Sequence, residues 1–401
     1  MKIKTVCKKN YCTGCMACKE VCPKDAVTIV DELQDYNAVI DIDKCIDCHA
    51  CYNICAQNND VESKEPIKWY QGWSNDNDIR GVGSSGGVAS SLAVQIIKSG
   101  GIVCSCLFRD GQFIFDVCDN IHDLNKYAGS KYVKSNPSGI YRKIKAVLKG
   151  NKKVLFIGLP CQVAAVKRFF GENDFLITVD LICHGTPSPN VLKKFLCQYN
   201  IKLEDLEDIR FRKKTIFQIY NAKYGYRNYK TITKSAVIDK YLIAFLNCLC
   251  YTENCYMCKY AKKQRISDIT IGDSWGSELP MSEQQKGLSL ILCQTEKGIR
   301  LIENSNLKLC YVDLDKAIKS NQQLNAPSKK PEKRQYFFDG LERNIKFNHL
   351  VRMSYPKQSC KQDLKNILKT IKVLKSDGGG IEYTTSIALN SATKLNDQYL
   401  P

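Results

Sequence analysis

Eight cysteines near the start of the chain have a spacing that suits iron–sulfur chemistry. They form two quartets of the pattern C-x₂-C-x₂-C-x₃-C, and the second quartet repeats the first at a constant offset. Three thiolates in one tight loop can hold three irons of a cubane, whereas zinc modules use C-x₂-C pairs separated by a longer spacer. The constant offset indicates the internal duplication of a short unit. We therefore predict two [4Fe–4S] clusters here.

The fourth cysteine of each quartet points away from the loop that holds the first three, and in two-cluster proteins of this type it ligates the other cluster. This unit resembles the bacterial two-cluster ferredoxin module over residues 1–62, with Ala56 in place of the proline that usually follows the second quartet. The predicted ligands of the first cluster are Cys12, Cys15, Cys18 and Cys55, and those of the second are Cys22, Cys45, Cys48 and Cys51.

A later pair, Cys255 and Cys258, supplies only half of a four-coordinate site. Two further cysteines each follow a strand-like segment, Cys161 in GLPCQ and Cys183 in LICHG. A strand–helix–strand crossover separates them, so both thiols are expected at the same edge of a parallel sheet, where ligands collect. The four could share one site. Lone cysteines are more often buried hydrophobes, and Cys250 is a rival ligand.

The elements that must position these cysteines alternate between strand-like and helix-like segments, which predicts an α/β domain with a largely parallel sheet. A segment rich in Tyr, Lys and Thr, residues 208–236, predicts an antiparallel insertion. The predicted strands are 102–108, 153–158, 175–183, 268–273 and 288–293, and the predicted helices include 162–170 and 191–199.

The stretch GVGSSGGVASSLAVQIIKSGG satisfies G-x-G-x-x-G formally, but the polar NDNDIR before it is not the buried strand that a dinucleotide-binding fingerprint requires. The stretch instead predicts a helix that Ser84 and Ser85 can cap and that Gly100 and Gly101 end. The small residues at its start leave N–H groups open to an anion such as a phosphate. Close packing of the helix on a neighbour explains the same residues equally well.

Composition and charge restrict the class of protein. The 401 residues include 22 cysteines and carry a formal net charge of +18. No apolar stretch is long enough for a transmembrane helix, and no secretory signal is visible, so metal-ligating cysteines in a reducing cytoplasm are favoured over disulfides. The lysines are dispersed along the chain, so the charge alone does not indicate nucleic-acid binding. It suits an acidic redox partner.

Five motifs in order resemble the family of coenzyme F420 hydrogenase/dehydrogenase beta subunits over about residues 65–340: GSSGGVASSL, KYAGSKYVKS, VLFIGLPCQVAAVKRF, VDLICHGTPSP and CYMCKYAKKQRISDITIGDSWG. The resemblance implies FAD with a third [4Fe–4S] cluster beside it. The matching cysteines are Cys161, Cys183, Cys255 and Cys258. Positions that match flavin contacts are Ser84, Ser85, Gly86, Gly87, Gly129, Ser130, Lys131 and Tyr132. Lys131 is a candidate partner of the flavin pyrophosphate or of the negative charge of a reduced flavin.

The expected fold is therefore an α+β ferredoxin-like two-cluster module followed by an α/β flavoprotein domain with a largely parallel sheet and an antiparallel insertion. The expected domains are the ferredoxin module at 1–62, a linker at 63–80, the flavin and iron–sulfur domain at 81–345, and a basic helix with a poorly ordered tail at 346–401.

The resulting hypothesis is an oxidoreductase that passes electrons between a small-molecule hydride donor or acceptor, FAD, three clusters and a redox protein or oxidoreductase subunit. The donor could be F420-like or a nicotinamide. The alternative is a non-catalytic electron-transfer subunit, and a zinc-rich nucleic-acid-binding protein is a remote third. The catalytic residues are not identified by the sequence.

Overall fold

The computed structural model describes residues 4–223 and 228–371. The expectation of poor order after Gly378 lies outside these residues. In the described part of the chain, no helix is both long enough and apolar enough to cross a membrane.

The N-terminal module is a small α+β unit built around one hairpin. Its strands β1 and β2 pair antiparallel with Ile29 opposite Ala38, and its two short helices pack on each other. Each helix follows a residue in the left-handed backbone region, Met16 (φ 64°) and His49 (φ 57°), so the duplicated sequence has folded in duplicate. The elements are α1 Ala17–Val21, β1 Val27–Asp31, β2 Tyr36–Ile40 and α2 Ala50–Ile54.

The remaining strands form two sheets. The bounds, in chain order, are β3 Lys68–Ser74, β4 Ile102–Arg109, β5 Gln112–Cys118, β6 Val154–Gly158, β7 Leu176–Leu181, β8 Asp208–Lys213, β9 Ile216–Ala222, β10 Lys230–Thr231, β11 Ile269–Asp273, β12 Ser289–Cys293 and β13 Leu307–Cys310.

The helices of this larger part are α3 Asn77–Val82, α4 Val88–Lys98, α5 Ile140–Lys149, α6 Pro160–Phe170, α7 Pro189–Cys197, α8 Lys240–Leu246, α9 Met281–Gln285, α10 Glu296–Glu303, α11 Leu314–Lys319, α12 Arg334–Glu342, α13 Phe347–Ser354 and α14 Pro356–Thr370.

The large sheet has the strand order β13-β3-β12-β11-β7-β6-β4-β5. The four central strands, β11, β7, β6 and β4, are parallel, and the strands outside them pair antiparallel. The predicted parallel sheet is thus confirmed at its centre. Side chains of β6 alternate between two apolar layers, because helices cover both faces of the sheet. Val154 and Phe156 pack towards α5 and α6, whereas Leu155 and Ile157 pack towards α4 and α10.

The predicted antiparallel insertion is confirmed as a three-stranded sheet of β8, β9 and β10. It packs with α7, α8, α12 and α13 in one apolar cluster that includes Phe211, Phe245 and Phe347. The description of residues 346 onward as a basic helix is therefore incomplete, because Leu350 and Val351 of α13 are fully buried in this core.

The predicted linker at 63–80 is wrong from residue 68 onward. Residues Lys68–Ser74 form β3, which pairs with β12 on one side and β13 on the other, and Asn77–Val82 form α3. The pattern was missed because β3 carries Gln71 and Gly72 at positions where an apolar side chain would be expected. Gln71 is satisfied in the interior by the Tyr311 carbonyl and the Ser277 hydroxyl.

Candidate functional site

The structure brings one cysteine of the first N-terminal quartet together with three of the second. Three cysteines of the second quartet line a small cavity together with Cys22 of the first. The cavity residues are Cys22, Pro23, Lys24, Ala26, Val27, Ile40, Cys45, Ile46, Cys48, His49 and Cys51. Cys48 is exposed at the surface, and the other three are half-buried. The fourth cysteine of one loop therefore lies with the three of the other.

The complementary group is buried. Cys12, Cys15, Cys18 and Cys55 are each less than a tenth exposed. Burial, together with negative charge on Cys12 and Cys55, raises the pKa of Cys15 to about 12, which places Cys55 beside the first loop. Cys7, which the sequence did not single out, joins this group. A hydrogen bond from its thiol is the main cause that lowers the pKa of Cys55 to about 6.

The structure also brings the four later cysteines together. Gly158 of β6 pairs with Asp180 of β7, and Cys161 and Cys183 each lie three residues beyond these partners, at one edge of the sheet. Pro160 starts α6 and so fixes Cys161 in its first turn. Cys255 lies in a 3₁₀ helix, Glu253–Met257, and Cys258 ends it. All four thiols line one cavity of about 40 Å³.

The four thiols line an open cavity and do not converge on the position of a single metal ion. Within 4–223 and 228–371, no group of three or more His, Cys, Asp or Glu side chains could hold a single metal ion. Four thiolates around one zinc would have to approach within about 3.8 Å of each other, given a Zn–S bond of about 2.3 Å. An open cavity lined by four cysteines suits a multi-iron cluster better.

Cys250, the rival ligand, does not line this cavity. Its side chain is fully buried in the apolar cluster around Phe245 and Tyr251. It therefore has the role of a small hydrophobe. All 22 cysteines of the chain are free thiols, so none of the candidate ligands is consumed by a disulfide.

A buried guanidinium holds the loop that carries Cys258. Arg265 donates to the Tyr260 carbonyl (2.7 Å), to the Leu181 carbonyl (3.2 Å) and to Asp180 Oδ1 (3.1 Å), and both charged side chains are almost completely inaccessible. Burial raises the pKa of Cys258, and the charge of Arg265 opposes that rise. Asp180 is the last residue of the buried run of β7, but nothing in the surrounding sequence indicates Arg265 as its partner.

A second and larger cavity, of about 310 Å³, opens at the same edge of the parallel strands. Its walls include the first half of β4 and the carboxyl ends of β6, β7 and β11, and such strand ends are where open α/β sheets bind ligands. Seven of the eight predicted flavin contacts line it: Ser84, Ser85, Gly87, Gly129, Ser130, Lys131 and Tyr132.

Gly86 is the exception, because it faces the sheet. A Cβ at this position would lie 2.5 Å from the Gly72 carbonyl oxygen, and its amide donates to the Ser289 hydroxyl (3.0 Å). The glycine thus allows the loop to approach β3 and β12 closely. Its role is to position the loop, which corrects the predicted contact.

The loop that contains Ser84 and Ser85 and the loop that contains Ser130 contact each other, because the Ser130 amide donates to the Ser84 hydroxyl (2.8 Å). The first loop is also held from the sheet side, where Ser85 donates to the Leu288 carbonyl (2.5 Å). Lys214 of the insertion donates to the carbonyls of Arg80, Gly83 and Ser85 from the far side. Sequence reasoning did not find Lys214, since its contacts are more than a hundred residues distant along the chain.

Lys131 and Tyr132 form one side of the large cavity. The ammonium of Lys131 donates to the carbonyls of Tyr127 (2.6 Å) and Ala128 (3.1 Å), and burial lowers its pKa to about 8. The ring of Tyr132 stacks on Phe245 with centroids 4.4 Å apart. An ammonium beside an aromatic wall suits a ligand that is both planar and anionic.

Asp273 lines the large cavity and forms an ion pair with Arg212. His184 occupies the wall between the cavities. Its Nδ1 lies 2.5 Å from the Tyr251 hydroxyl, and burial lowers its pKa to about 4, so the ring is neutral at pH 7. Gly185, at φ 135°, lets the chain pass against the Tyr251 ring.

The cavities are contiguous. Leu159, Cys183, His184, Gly185 and Thr186 line both of them, so one turn separates the large cavity from the cysteine cavity. On its other side the cysteine cavity meets the N-terminal module, because Thr13 and Gln57 also line it. Cys15, Cys161 and Cys258 belong to one buried cluster with Tyr260.

Comparison with known protein families agrees with this arrangement. Two models of the coenzyme F420 hydrogenase/dehydrogenase beta subunit match the chain, the N-terminal model at residues 69–139 and the C-terminal model at residues 151–316. The chain belongs to the family of coenzyme F420 hydrogenase/dehydrogenase beta subunits. Residues 11–59 match a 4Fe-4S dicluster domain, so this family member carries a two-cluster module at its N-terminal end.

Two relatives are named for reactions of coenzyme F420. The F subunit of the F(420)H(2) dehydrogenase from Methanosarcina mazei is 27% identical over 200 residues, which cover 45% of this chain and 56% of the relative. The coenzyme F420-dependent sulfite reductase of Methanocaldococcus jannaschii is 23% identical over 333 residues, covering 77% and 48%. The chain therefore spans about half the length of the curated relatives it matches.

Among solved structures, a chain of the F420-reducing [NiFe] hydrogenase complex from Methanosarcina barkeri is 18% identical. The match covers 80% of this chain and 97% of that chain, with a TM-score of 0.44. The family matches divide at the boundary that the cysteines indicate, since the two-cluster match ends at residue 59 and the N-terminal match to the beta subunits begins at residue 69.

Proposed function

We propose that this family member is an iron–sulfur flavoprotein oxidoreductase, which passes electrons between a small-molecule hydride donor or acceptor, FAD, three [4Fe–4S] clusters and a redox partner. The observation that carries the proposal is the shared wall from Cys183 to Thr186. It separates a large cavity from a four-cysteine cavity, which in turn touches the two-cluster module.

The large cavity fits FAD by its chemistry. FAD exchanges two electrons as hydride and single electrons with iron–sulfur clusters. Ser84, Ser85 and Gly87 present only small side chains to the cavity at the start of α4, and a helix N-terminus of this kind suits phosphate. Lys131 supplies a cation close to that loop, and Tyr132 with Phe245 supplies an aromatic surface.

The cysteine cavity fits a [4Fe–4S] cluster by its donor set. We assign the third cluster to Cys161, Cys183, Cys255 and Cys258, and the N-terminal clusters to the two quartets as spaced. Backbone amides aimed at the thiols support this assignment, because hydrogen bonds to sulfur tune a cluster's potential. The Thr186 amide lies 3.4 Å from Cys255 Sγ, and the Gly14 amide lies 3.4 Å from Cys12 Sγ.

The order of the redox centres along the proposed relay follows from how deeply each site is buried and which sites adjoin. The large cavity adjoins Cys183, the four-cysteine cavity adjoins Thr13 and Gln57, and the quartet of Cys12 is buried inside the protein. The group around Cys45 ends at the exposed Cys48. Electrons would therefore enter or leave through the outer cluster, where an acidic redox protein or a subunit of an oxidoreductase can dock.

The proposed hydride donor or acceptor is F420-like or a nicotinamide, since the relatives are named for F420 and FAD also reacts with nicotinamides.

The proposed location is the cytoplasm. A reducing compartment suits a chain in which none of the 22 cysteines forms a disulfide.

Anaerobic purification followed by iron and flavin analysis tests the proposal. We expect about twelve irons per chain from three four-iron clusters, together with one FAD. Titration with F420H₂, NADH, NADPH and reduced ferredoxin, followed by flavin bleaching, then identifies the donor. A preparation rich in iron but without flavin absorbance would refute the central claim.

A second candidate function is a non-catalytic subunit that conducts electrons for a partner enzyme. The match to a protein that is named as one subunit of a dehydrogenase favours it. Reduction of the bound flavin by a small hydride donor, with no partner present, would exclude this role. Flavin that is reduced only by a protein donor would support it.

A further inference from the structure

Lys134 is a buried ammonium without a carboxylate partner. Its side chain is only 4% exposed, and in the described chain no Asp or Glu oxygen lies within 4.0 Å of its Nζ. The Nζ donates to the Thr13 carbonyl (3.2 Å) and lies 5.0 Å from the centre of the Tyr36 ring. Removing an ammonium from water is costly unless negative charge compensates it. The compensation must therefore come from another source.

The surroundings of Lys134 contain thiols of two separate sites. Thr13, which accepts its hydrogen bond, follows Cys12 and also lines the cavity of Cys161 and Cys183. The Lys134 amide donates to the Pro187 carbonyl (2.8 Å), just beyond the turn that both cavities share. The residue thus bridges the two-cluster module and the larger domain.

We propose that Lys134 is the shared counter-cation of two clusters and that it raises the reduction potential of both. One cluster is held by Cys12, Cys15, Cys18 and Cys55, and the other by Cys161, Cys183, Cys255 and Cys258. The proposal deepens the electron relay above and rests on it. A reduced cluster carries one more negative charge than an oxidised one, so a fixed cation in a medium of low dielectric constant favours reduction.

The proposal predicts which clusters the charge of Lys134 affects and which it does not. Because its Nζ contacts the carbonyl of Thr13, which follows Cys12 and lines the cavity of Cys161 and Cys183, it should affect both inner clusters. The outer cluster, at Cys22, Cys45, Cys48 and Cys51, is partly exposed to water, where the same charge is screened. Electron exchange between the inner clusters moves one electron from one to the other, with no proton and no further reactant.

The test is an anaerobic redox titration of the full-length holoprotein, followed by electron paramagnetic resonance. In Lys134→Met, which removes the charge and keeps the length of the side chain, we expect the equilibrium constant for one-electron reduction of each inner cluster to fall at least tenfold. Such a change corresponds to about 59 mV for one electron. The outer cluster should keep its potential.

Two matched variants separate charge from packing. Lys134→Arg retains the charge and should restore both potentials. Lys240→Met removes an equally buried lysine, 6% exposed, whose partners are Asp363 (2.6 Å) and the Ser359 carbonyl (3.1 Å), and it should leave all three potentials unchanged.

Unchanged inner potentials in Lys134→Met, with all three clusters present, would overturn the proposal, and so would an equal shift of the outer cluster. If Lys134→Met loses iron, recovery of iron in Lys134→Arg supports the proposal, and equal loss in both overturns it. A wild-type protein that holds only the two N-terminal clusters would instead refute the proposed function.

Discussion

Arg212 and Asp273 form a bidentate ion pair in the wall of the large cavity, with Nη1–Oδ2 and Nη2–Oδ1 distances of 2.6 and 2.9 Å. Arg212 belongs to β8 of the insertion, and Asp273 ends β11 of the large sheet. The pair therefore attaches the insertion to the sheet edge where the cavity opens. Its guanidinium also lies 4.8 Å from the Phe217 ring centre, so the cation is enclosed on several sides.

We expect Asp273→Asn to lower the free energy of unfolding of the apoprotein by about 3 kcal/mol, because it leaves the buried Arg212 charge without its partner. Arg212→Met should cost less, because the Asp273 side chain that it leaves unpaired is 19% exposed. The double variant should lose less than the sum of the two. Urea denaturation of the four proteins measures this coupling. Additive losses would show that the pair does not act as a unit.

Cys258→Ser should reduce the iron content from about twelve to about eight per chain, because the third site loses one of its four thiolates. The two N-terminal clusters should remain, since none of their ligands changes. Iron analysis and visible absorbance measure the loss.

The control is Cys250→Ala, which alters a thiol buried among Phe245 and Tyr251 outside the cysteine cavity. We expect it to keep all the iron and to lose some stability. Loss of four irons from Cys250→Ala, and none from Cys258→Ser, would reverse the assignment.

The outer cluster should be the first to be lost during oxidation or chelation. Cys48 is exposed and Cys22, Cys45 and Cys51 are half-buried, whereas the ligands of the inner N-terminal cluster are all buried. During slow treatment with ferricyanide and EDTA we expect an early phase that releases about four irons, followed by a slower phase. In Cys48→Ser that early phase should be missing. A single phase in the wild-type protein would contradict this order.

Lys131→Met should stabilise the apoprotein at pH 7. Burial lowers the pKa of Lys131 to about 8 from an ordinary value of 10.5, so the folded state binds the proton more weakly than the unfolded state. The cost of burying the charge is complete below pH 8 and is relieved as the pH rises towards 10.5. We expect a gain of about 1–2 kcal/mol at pH 7, after screening by water in the open cavity, and a smaller gain at pH 9.5.

The same variant should bind FAD more weakly, by about tenfold, because the ammonium faces the proposed phosphate site. Flavin fluorescence quenching measures the affinity, and Lys131→Arg, which keeps the charge, should retain most of it. Equal affinity in Lys131→Met and wild type would remove Lys131 from the flavin contacts.

Gly86→Ala should destabilise the protein by about 2 kcal/mol or more, because the new methyl group would meet the Gly72 carbonyl oxygen at 2.5 Å. Gly81→Ala is the matched control five residues earlier. It lies in α3 with no atom within 4 Å of the added carbon, and alanine there should stabilise by about 0.5–1 kcal/mol. Thermal unfolding compares the two, and equal effects would contradict the assigned role of Gly86.

The sequence by itself determined the local features of this protein. The C-x₂-C-x₂-C spacing, the duplicated loop with Met16 and His49 in equivalent conformations, and the strand–helix–strand unit from β6 to β7 all depend on residues close together in the chain. Covalent geometry and hydrophobic periodicity fix such features directly. The shared edge position of Cys161 and Cys183 followed from the same reasoning, because the parallel register of β6 and β7 carries both to one side.

Only the tertiary structure decided which distant residues meet. It separated Cys258 from Cys250, formed β3 and most of α3 within the expected linker, and placed Gly86 against the sheet instead of in the cavity. It also buried Lys134 between two groups of cysteines, where the contact between Lys134 and Thr13 joins residues 121 positions apart. Such contacts depend on how whole layers pack. The sequence around each residue does not indicate its distant partner, because the energy of these contacts comes from burial in the folded protein.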